Sequence, residues 1–346
     1  MNERLFFVIS GEHPTLPKAE LKAVLEAEKC QFQMVKSVPK LLIVEAPRSC
    51  LEIVSFRSAM CRLSGIHILE CSNDRPSIEK TIAETDLSGF LECGDSFSVR
   101  VVKAGAIPDV RSSEALEAFV GKIVKRAVHG ISVNLVRPTK SLLGVVYDGC
   151  FILGLETYRR PSGSLALRRP RRRPVFHPST MSPKLARCMV NLARPKRGDF
   201  VLDPFCGVGG LLIESSLIGC QTFGCDIALK KIQGSLTNLR YFSLEPEGMV
   251  LADARVLPFG KVQAIVTDPP YGTAASTHGS TTRELFRQFL NEAHETITAG
   301  GCICIGAPMK VEIESLGEDA GLDLLENHEI YVHRSLTREI AVFRRT

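Results

Sequence analysis

An alternation of short apolar runs with helical segments between residues 200 and 320 places the strongest constraint on how this chain can fold. Apolar runs that suit buried strands occur at 200–202, 221–225, 249–251, 264–266 and 302–305. Segments with helical spacing lie between and after them, at 210–218, 228–241, 283–297 and 311–320. This alternation predicts an α/β fold in which helices cover both faces of a parallel sheet. Two final alternating runs, 329–333 and 339–344, predict an antiparallel hairpin that makes the sheet mixed.

Several of the predicted strands end in residues that suit a nucleoside ligand. The first strand runs into Gly207-Val-Gly-Gly210, where the backbone can approach a ligand and the next helix offers free N–H groups. Asp226 ends the second strand roughly twenty residues later, a spacing that suits a carboxylate on ribose hydroxyls. Asp253 follows the third strand and could accept a hydrogen bond from an adenine amino group. Each acid could instead be a helix cap, but acids at the ends of successive strands favour a binding site.

The most specific signal is the tetrapeptide Asp268-Pro-Pro-Tyr271 at the end of the fourth strand. Pro269 and Pro270 lack N–H donors, so the turn presents hydrogen-bond acceptors, namely the Asp268 carboxylate and the Pro269 carbonyl. Two such acceptors can hold the N–H groups of an exocyclic amine and orient its lone pair toward a methyl donor. Tyr271 would offer an aromatic face to the base, which must already lie outside its stack. An ordinary proline-rich loop is the alternative.

Cysteine usage and hydropathy limit the class of protein. The twelve cysteines are scattered and include no Cys-x-x-Cys pair, so free thiols are expected and no metal site is predicted. The chain has no N-terminal signal pattern, and its uncharged apolar windows are shorter than the ~18 residues of a membrane span. We therefore expect a cytoplasmic protein.

Positive charge is concentrated in one stretch of the chain. Residues 157–174 contain seven arginines and no acidic residue, whereas the net charge of the whole chain is only +5. An exposed basic stretch of this kind favours an anionic partner such as RNA, although a solvated linker is the alternative. The candidate RNA-binding residues are Arg159, Arg160, Arg168, Arg169, Arg171, Arg172 and Arg173.

The first half of the chain mixes strand and helix patterns without an internal repeat. Apolar runs at 5–10, 41–45 and 67–70 predict strands, and helical spacing at 18–29 and 51–63 predicts helices. Further strands are expected near 96–102, 142–147 and 151–158 around a helix at 113–128. These patterns predict an α+β domain at 1–55 and a second one at 56–156. The arginine-rich linker, 157–175, separates them from the α/β domain at 176–346.

The chain resembles the THUMP-containing tRNA guanine N2-methyltransferases, and among them the archaeal enzymes that modify guanosine 10 of tRNA. The resemblance rests on the glycine loop 203–210, on the tetrapeptide 268–271, and on the phrases 176–187 and 191–193 that precede the loop. It is specific over about 176–346. The likeness of 56–156 to a THUMP domain, and of 1–55 to its ferredoxin-like partner, is architectural.

The resemblance implies a Rossmann-fold class I methyltransferase domain with a mixed seven-stranded sheet, S-adenosylmethionine as the cofactor and tRNA as the partner. It implies that Asp268, Pro269, Pro270 and Tyr271 are catalytic and hold the target amine. It also implies cofactor-binding roles for Asp203, Phe205, Cys206, Gly207, Gly209, Asp226, Ile227, Asp253 and Ala254. The THUMP domain would grip the acceptor end of the tRNA.

Two other functions fit the same motifs. One is an adenine-N6 methyltransferase on RNA or DNA, because the tetrapeptide alone does not select the base. The other is a non-catalytic RNA-binding protein with an inactive methyltransferase fold, against which the intact Asp226, Asp253 and Asp268 argue. The sequence leaves open whether one or two methyl groups are added and whether a small activating protein subunit is needed.

Overall fold

The computed structural model describes residues 2–105, 113–270, 282–333 and 336–346. The chain divides into two compact units. The N-terminal unit comprises Met1–Pro14, Cys30–Ser55 and Cys61–Pro161, and the C-terminal unit comprises Thr15–Lys29, Phe56–Met60 and Ser162–Thr346. Each unit is built on its own β-sheet.

The helices and strands of the described residues are numbered in chain order. The first half of the chain contains β1 (Asn2–Ile9), α1 (Leu16–Ala27), β2 (Gln33–Val38), β3 (Leu41–Pro47), α2 (Ser49–Arg57), β4 (Cys61–Ser72), α3 (Arg75–Glu84), β5 (Ser96–Lys103), α4 (Ser113–Ala127), β6 (Ser132–Val133), β7 (Lys140–Tyr147) and β8 (Cys150–Arg159). The second half contains α5 (Pro183–Leu192), β9 (Phe200–Asp203), α6 (Gly210–Leu217), β10 (Gln221–Asp226), α7 (Leu229–Tyr241), β11 (Gly248–Leu251), β12 (Val262–Thr267), α8 (Thr282–Thr296), β13 (Ile297–Pro308), α9 (Ile313–Asp319), β14 (Asp323–His333) and β15 (Leu336–Arg344). Short 3₁₀ helices lie at Ser164–Arg168, Pro170–Arg172 and Met309–Val311.

The N-terminal unit is organised around one sheet. Among the described residues its strands have the order β2-β3-β1-β4-β8-β7-β5-β6. Strand β1 pairs with β3 on one side and with β4 on the other, through Leu5 opposite Val44 and Ile66. Strands from both predicted segments, 1–55 and 56–156, therefore join the same sheet. Their assignment to a ferredoxin-like and a THUMP domain stays a prediction.

The helix predicted over 51–63 is wrong in its second half. Helix α2 ends at Arg57, and strand β4 begins at Cys61. The reason lies in tertiary pairing, because Cys61 and Leu63 lie opposite Ile9 and Val8 of β1. Apolar residues at 60, 61 and 63 fit a helix or a strand equally well, so local periodicity could not place the boundary.

The sheet of the C-terminal unit confirms the predicted mixed seven-stranded topology. Among the described residues the order is β11-β10-β9-β12-β13-β15-β14, with β15 antiparallel to both of its neighbours and the strands from β11 to β13 parallel. Strands β10 and β12 flank β9 on opposite sides, so the strand order reverses at β9. Ligands of such sheets bind outside the carboxyl ends of the strands at this reversal.

Helix α1, although it comes early in the chain, belongs to the C-terminal unit. Its Leu16, Ala19 and Ala23 share one buried cluster with Ala186 and Met189 of α5. Small alanines on both helices are compatible with a close approach of their backbones. The predicted segment 1–55 thus supplies one helix to the core that supports the second sheet.

The polar centre of this packing is Glu20, which is fully buried. Its carboxylate accepts hydrogen bonds from the Ser58 hydroxyl at 2.6 Å, the Ala59 and Met60 backbone N–H groups at 2.7 and 2.8 Å, and the Asn191 side-chain amide at 2.9 Å. A buried carboxylate is tolerated when several donors surround it. These bonds join α1, the segment after α2, and α5.

We expect Glu20→Ala to lower the free energy of unfolding by about 3–5 kcal/mol, because each buried donor left without an acceptor costs about 1–3 kcal/mol. Glu20→Gln keeps one acceptor oxygen and should lose less. Lys18→Ala, on the exposed face of the same helix, is the matched control and should change stability by under about 0.5 kcal/mol. Urea unfolding measures all three, and equal losses for Glu20→Ala and Lys18→Ala would contradict the assignment.

Candidate functional site

A cavity of about 620 Å³ lies at the carboxyl edge of the sheet in the C-terminal unit. Its wall is formed by the loops that follow β9, β10, β11 and β12, by residues 177–181, and by Leu285 and Arg338. Small-ligand sites usually measure ~300–1,000 Å³, so this cavity has room for a nucleoside cofactor.

The structure brings most of the predicted site residues to this one wall. Those that line it are Asp203, Phe205, Cys206, Gly207, Asp226, Ile227, Asp253, Ala254, Asp268, Pro269 and Pro270. Gly209 does not line the cavity and acts through the shape of its loop, as described next. Tyr271 lies outside the described residues.

The glycine loop, residues 203–210, turns sharply between β9 and α6. Gly207 and Gly209 have positive φ angles of 51° and 83°, which residues with a Cβ rarely adopt. A Cβ at Gly209 would also lie 2.5 Å from the Ser235 hydroxyl oxygen. Glycine at 209 is therefore required both for the turn and for close packing against α7. The loop leaves Gly207, Gly210 and Leu211 on the cavity wall.

Asp226 fixes the glycine loop relative to the end of β10. Its Oδ2 accepts the Gly207 N–H at 3.1 Å, and its Oδ1 accepts the Ala228 N–H at 2.9 Å. Each carboxylate oxygen has a second lone pair. The carboxylate can thus accept hydroxyl hydrogens from a ligand without giving up the bonds that shape its own loop.

Asp253 has a partner that the sequence did not indicate. The Arg255 Nη2 lies 2.6 Å from Asp253 Oδ2, and the Arg255 backbone N–H donates to Oδ1 at 2.9 Å. Both residues line the cavity. A ligand amino group would share this carboxylate with Arg255, so the adenine-binding role of Asp253 stays a prediction.

Asp268 comes directly after β12 and faces two neighbouring strands. Its Oδ2 lies 3.4 Å from Arg338 Nη1 of β15. A Cβ at Gly306 of β13, the strand between β12 and β15, would lie 2.5 Å from Asp268 Oδ1. Gly306 therefore leaves the space that the carboxylate occupies. Pro269 and Pro270 continue from it along the cavity wall.

Asp203 is the most deeply buried acid on the wall, with 2% of its surface exposed. Burial raises its pKa to about 7, although hydrogen bonds from the Thr267 hydroxyl at 2.8 Å and the Phe205 N–H at 3.2 Å favour the charged form. The nearby carboxylates of Asp226 and Asp268 raise the pKa further. A cation bound in the cavity would have the opposite effect.

The predicted RNA-binding arginines fall into two groups. In the C-terminal unit, Arg168 is bonded to the fully buried Glu214 at 2.8 Å, and Arg173 is only 5% exposed and donates to the Arg168 carbonyl at 2.9 Å. Arg187 also pairs with Glu214, at 2.9 Å. Arg168 and Arg173 are thus held inside a structural cluster beside α6, which corrects the expectation that the whole run is exposed.

The remaining arginines of the run are more accessible. Arg169, Arg171 and Arg172 are exposed, and the Arg171 guanidinium lies 5.9 Å from the centre of the exposed Phe176 ring. In the N-terminal unit, Arg159 pairs with Glu156 at 2.5 Å, and Arg160 donates to the Cys61 carbonyl at 3.1 Å. Arg169, Arg171 and Arg172 are therefore the arginines of the run best placed to contact an anionic partner.

Sequence reasoning missed several residues of the wall. His177, Lys231, Arg255 and Arg338 line the cavity but were not predicted as site residues. Residues 177–181 belong to the phrase 176–187, which carries part of the family resemblance and is a usable signal. Arg338 stands seventy residues after Asp268 on an antiparallel strand, and no local pattern marks it.

Neither a metal-binding cluster nor a membrane-spanning helix is found in the described part of the chain. Among the residues that the structure describes, no group of three His, Cys, Asp or Glu side chains could hold a metal ion. Within the same residues, no helix is long and apolar enough to cross a membrane.

Comparison with known proteins identifies relatives over the full length. Residues 170–340 match the family model described as an RMKL-like methyltransferase domain. The tRNA (guanine(10)-N2)-dimethyltransferase of Methanothermobacter thermautotrophicus is 38% identical over 99% of both chains. The enzyme of the same name from Methanocaldococcus jannaschii is 32% identical over 98% of this chain and 99% of its own. The crystal structure of TrmN from Thermus thermophilus is 21% identical, covers 99% of this chain and 100% of its own, and superposes with a TM-score of 0.56, which shows a common fold.

The raised pKa of Asp203 predicts a pH-dependent stability. Because the folded protein binds this proton more tightly than the unfolded chain, the contribution of Asp203 to stability is greatest below about pH 4, where an unfolded Asp titrates, and falls until about pH 7. We expect Asp203→Asn to abolish this fall, and Thr267→Val to extend it to higher pH. Urea unfolding at pH 5, 6.5 and 8 provides the measurement. Parallel pH profiles for the wild type and Asp203→Asn would refute the prediction.

Proposed function

The chain belongs to the tRNA (guanine(10)-N2)-dimethyltransferase family, and we propose that it transfers methyl groups from S-adenosylmethionine to the exocyclic N2 amine of a guanosine in tRNA. Two relatives of that name match it over nearly their whole length. Their name specifies guanosine 10 as the target and the addition of two methyl groups. We propose the same target and the same product for this chain. The RNA contacts of the N-terminal unit, including the THUMP-like segment 56–156, are part of the proposal.

The observation that supports the proposal most is the position of Asp268 in the same cavity as Asp203, Asp226 and Asp253. The three strand-end acids suit a cofactor with a ribose, an amino group and a positive charge. Asp268 suits the N–H groups of a base. Both sets of acceptors lie on one wall, so a methyl donor and an amine could be held within reach of each other.

The chain's residues fit the cofactor in the following way. Asp226 would accept bonds from the ribose hydroxyls, and Ile227 beside it, 47% exposed, would pack against the adenine. The glycine loop would admit the methionyl part close to the backbone. Asp203 would face its positive charge, which would favour the ionised form of this buried carboxyl. S-adenosylmethionine, when bound, supplies an electrophilic methyl group on a sulfonium.

The base would be held by the tetrapeptide. A guanine N2 amine is a weak nucleophile because its lone pair is delocalised into the ring. Asp268 and the Pro269 carbonyl would accept its two hydrogens, which orients the amine and stabilises the positive charge that develops during transfer. Because the acceptors belong to a turn fixed by two prolines, little reorganisation is needed when the charge forms.

The test of the function is methyl transfer from labelled cofactor to an unmodified tRNA transcript, followed by nucleoside analysis. We expect N2-methylguanosine at early times and N2,N2-dimethylguanosine later, and no label in a matched transcript with adenosine at position 10. Methyladenosine as the product would identify an adenine-N6 enzyme. Absence of label, with cofactor and tRNA both bound, would contradict the activity proposed for the chain alone.

For the tetrapeptide we expect Asp268→Ala to lower kcat about 10²–10³-fold, as loss of one charge-stabilising group typically does. Cofactor affinity, measured by calorimetry, should change little, because the cofactor acceptors stay in place. Asp268→Asn keeps one acceptor and should be intermediate. Asp319→Asn, an exposed acid at the end of α9, is the control. Unchanged turnover in Asp268→Ala would exclude the role.

For tRNA binding we expect the triple change of Arg169, Arg171 and Arg172 to Ala to weaken affinity. The slope of log affinity against log salt should fall by about 2–3, since each lost phosphate contact removes about 0.7–0.9 from it. Arg168→Ala, in contrast, should lower the urea midpoint, because it removes a partner of buried Glu214. An unaltered salt slope in the triple variant would mean that these arginines contact no phosphate.

A further inference from the structure

Arg338 occupies a position at the site that neither its sequence context nor the predicted motifs indicate. It lies early in β15, opposite Pro308 of β13 and Ile330 of β14. Because β15 runs antiparallel to β13, its first residues lie at the edge where the parallel strands end. Arg338 therefore reaches the cavity wall that Asp268 also lines.

The two side chains form an ion pair on the cavity wall. Arg338 Nη1 and Asp268 Oδ2 are 3.4 Å apart, and their side chains are only 15% and 17% exposed. Gly306 of β13 lacks the Cβ that would come within 2.5 Å of Oδ1, which leaves room for the carboxylate beside that strand. The carboxylate thus occupies space that a glycine leaves on β13 and pairs with a guanidinium from β15. A guanidinium carries five N–H donors in a planar fork, more than one carboxylate oxygen can accept.

A second acid next to Arg338 does not compete for it in the same way. Glu339 follows it in β15, and successive residues of a strand face opposite sides of the sheet. The Glu339 carboxylate instead accepts a hydrogen bond from the Asn327 side chain at 2.8 Å. On the cavity wall, Arg338 is paired with Asp268 of the tetrapeptide, as Arg255 is with Asp253.

We propose that Arg338 and Asp268 together recognise the Watson–Crick edge of the target guanine, with Arg338 donating to O6 while Asp268 accepts from N1–H and N2–H. The edge of guanine presents two donors and then an acceptor. Asp268 presents two carboxylate oxygens, which would accept from N2–H and N1–H, and Arg338 beside it presents a donor for O6. The order of acceptors and donor thus matches the guanine edge. On adenine the amine is followed by the N1 lone pair, which would face a carboxylate. The pair therefore selects guanine and rejects adenine.

This inference rests on the proposed function and adds the determinant of base specificity. It assigns Arg338 a direct contact with the substrate, which differs from a role in which Arg338 only positions Asp268. A site built to hydrogen-bond a substrate group discriminates strongly against an analogue that lacks it. The distinction can therefore be measured with a base that keeps N1–H and the N2 amine but has a poor acceptor at position 6.

The test compares tRNA with guanosine and tRNA with 6-thioguanosine at position 10, using the wild type, Arg338→Met and Arg338→Lys. We expect the wild type to prefer guanosine about tenfold or more in kcat/KM, which corresponds to at least one charge-assisted hydrogen bond. In Arg338→Met the rate on guanosine should fall about 10²-fold, and the preference should fall to within about threefold. Arg338→Lys, with one donor position in place of the fork, should be intermediate.

The outcomes are distinguishable. If Arg338→Met slows both substrates equally and keeps the preference, Arg338 only positions Asp268 and the inference is overturned. If the wild type shows no preference, Arg338 makes no O6 contact and the inference is again overturned. Failure of the wild type to methylate guanosine at all would instead count against the proposed function. Cofactor affinity and the urea midpoint of each variant report on folding; if Arg338→Met does not fold, the wild type and Arg338→Lys decide.

Discussion

Four carboxylates at one sheet edge are the constraint on which the rest of the site depends. Asp203, Asp226, Asp253 and Asp268 all line the same cavity. Negative charges that share one wall repel one another. The effect is visible in Asp203, whose pKa rises to about 7 through burial and through the charges of Asp226 and Asp268. The fold can maintain this arrangement only where each acid has its own source of stabilisation.

Each acid is stabilised differently, and the difference fits its proposed task. Backbone N–H groups hold Asp226, which leaves lone pairs for hydroxyls. Arg255, two residues further along the chain, pairs with Asp253 at a more exposed position. Asp268 is paired with Arg338 from another strand, so its charge is balanced without removing it from the cavity. Asp203, which is buried and accepts hydrogen bonds from Thr267 and Phe205, would gain most from a positively charged ligand.

The supporting core shows how far the site depends on distant parts of the chain. Helix α1 lies in the C-terminal unit, and Glu20 bonds it to α5 through Asn191. Behind the glycine loop, Glu214 of α6 is fully buried between Arg168 and Arg187. Because a buried carboxylate needs partners, part of the arginine-rich stretch is committed to holding α6. Only its exposed members remain for another ligand.

The sequence alone determined the α/β class, the mixed sheet and the three strand-end motifs, because alternating apolar runs and glycine or proline turns are local signals. It could not determine the end of α2, the unit to which α1 belongs, or which arginines are buried. Each of these depends on pairing partners far away in the chain, such as Ile9 for Cys61 and Glu214 for Arg168. The same holds for Arg338, which reaches Asp268 only because an antiparallel strand returns to the edge where the parallel strands end. Spacing along the chain contains no information about such contacts, since they form only when the sheet is assembled.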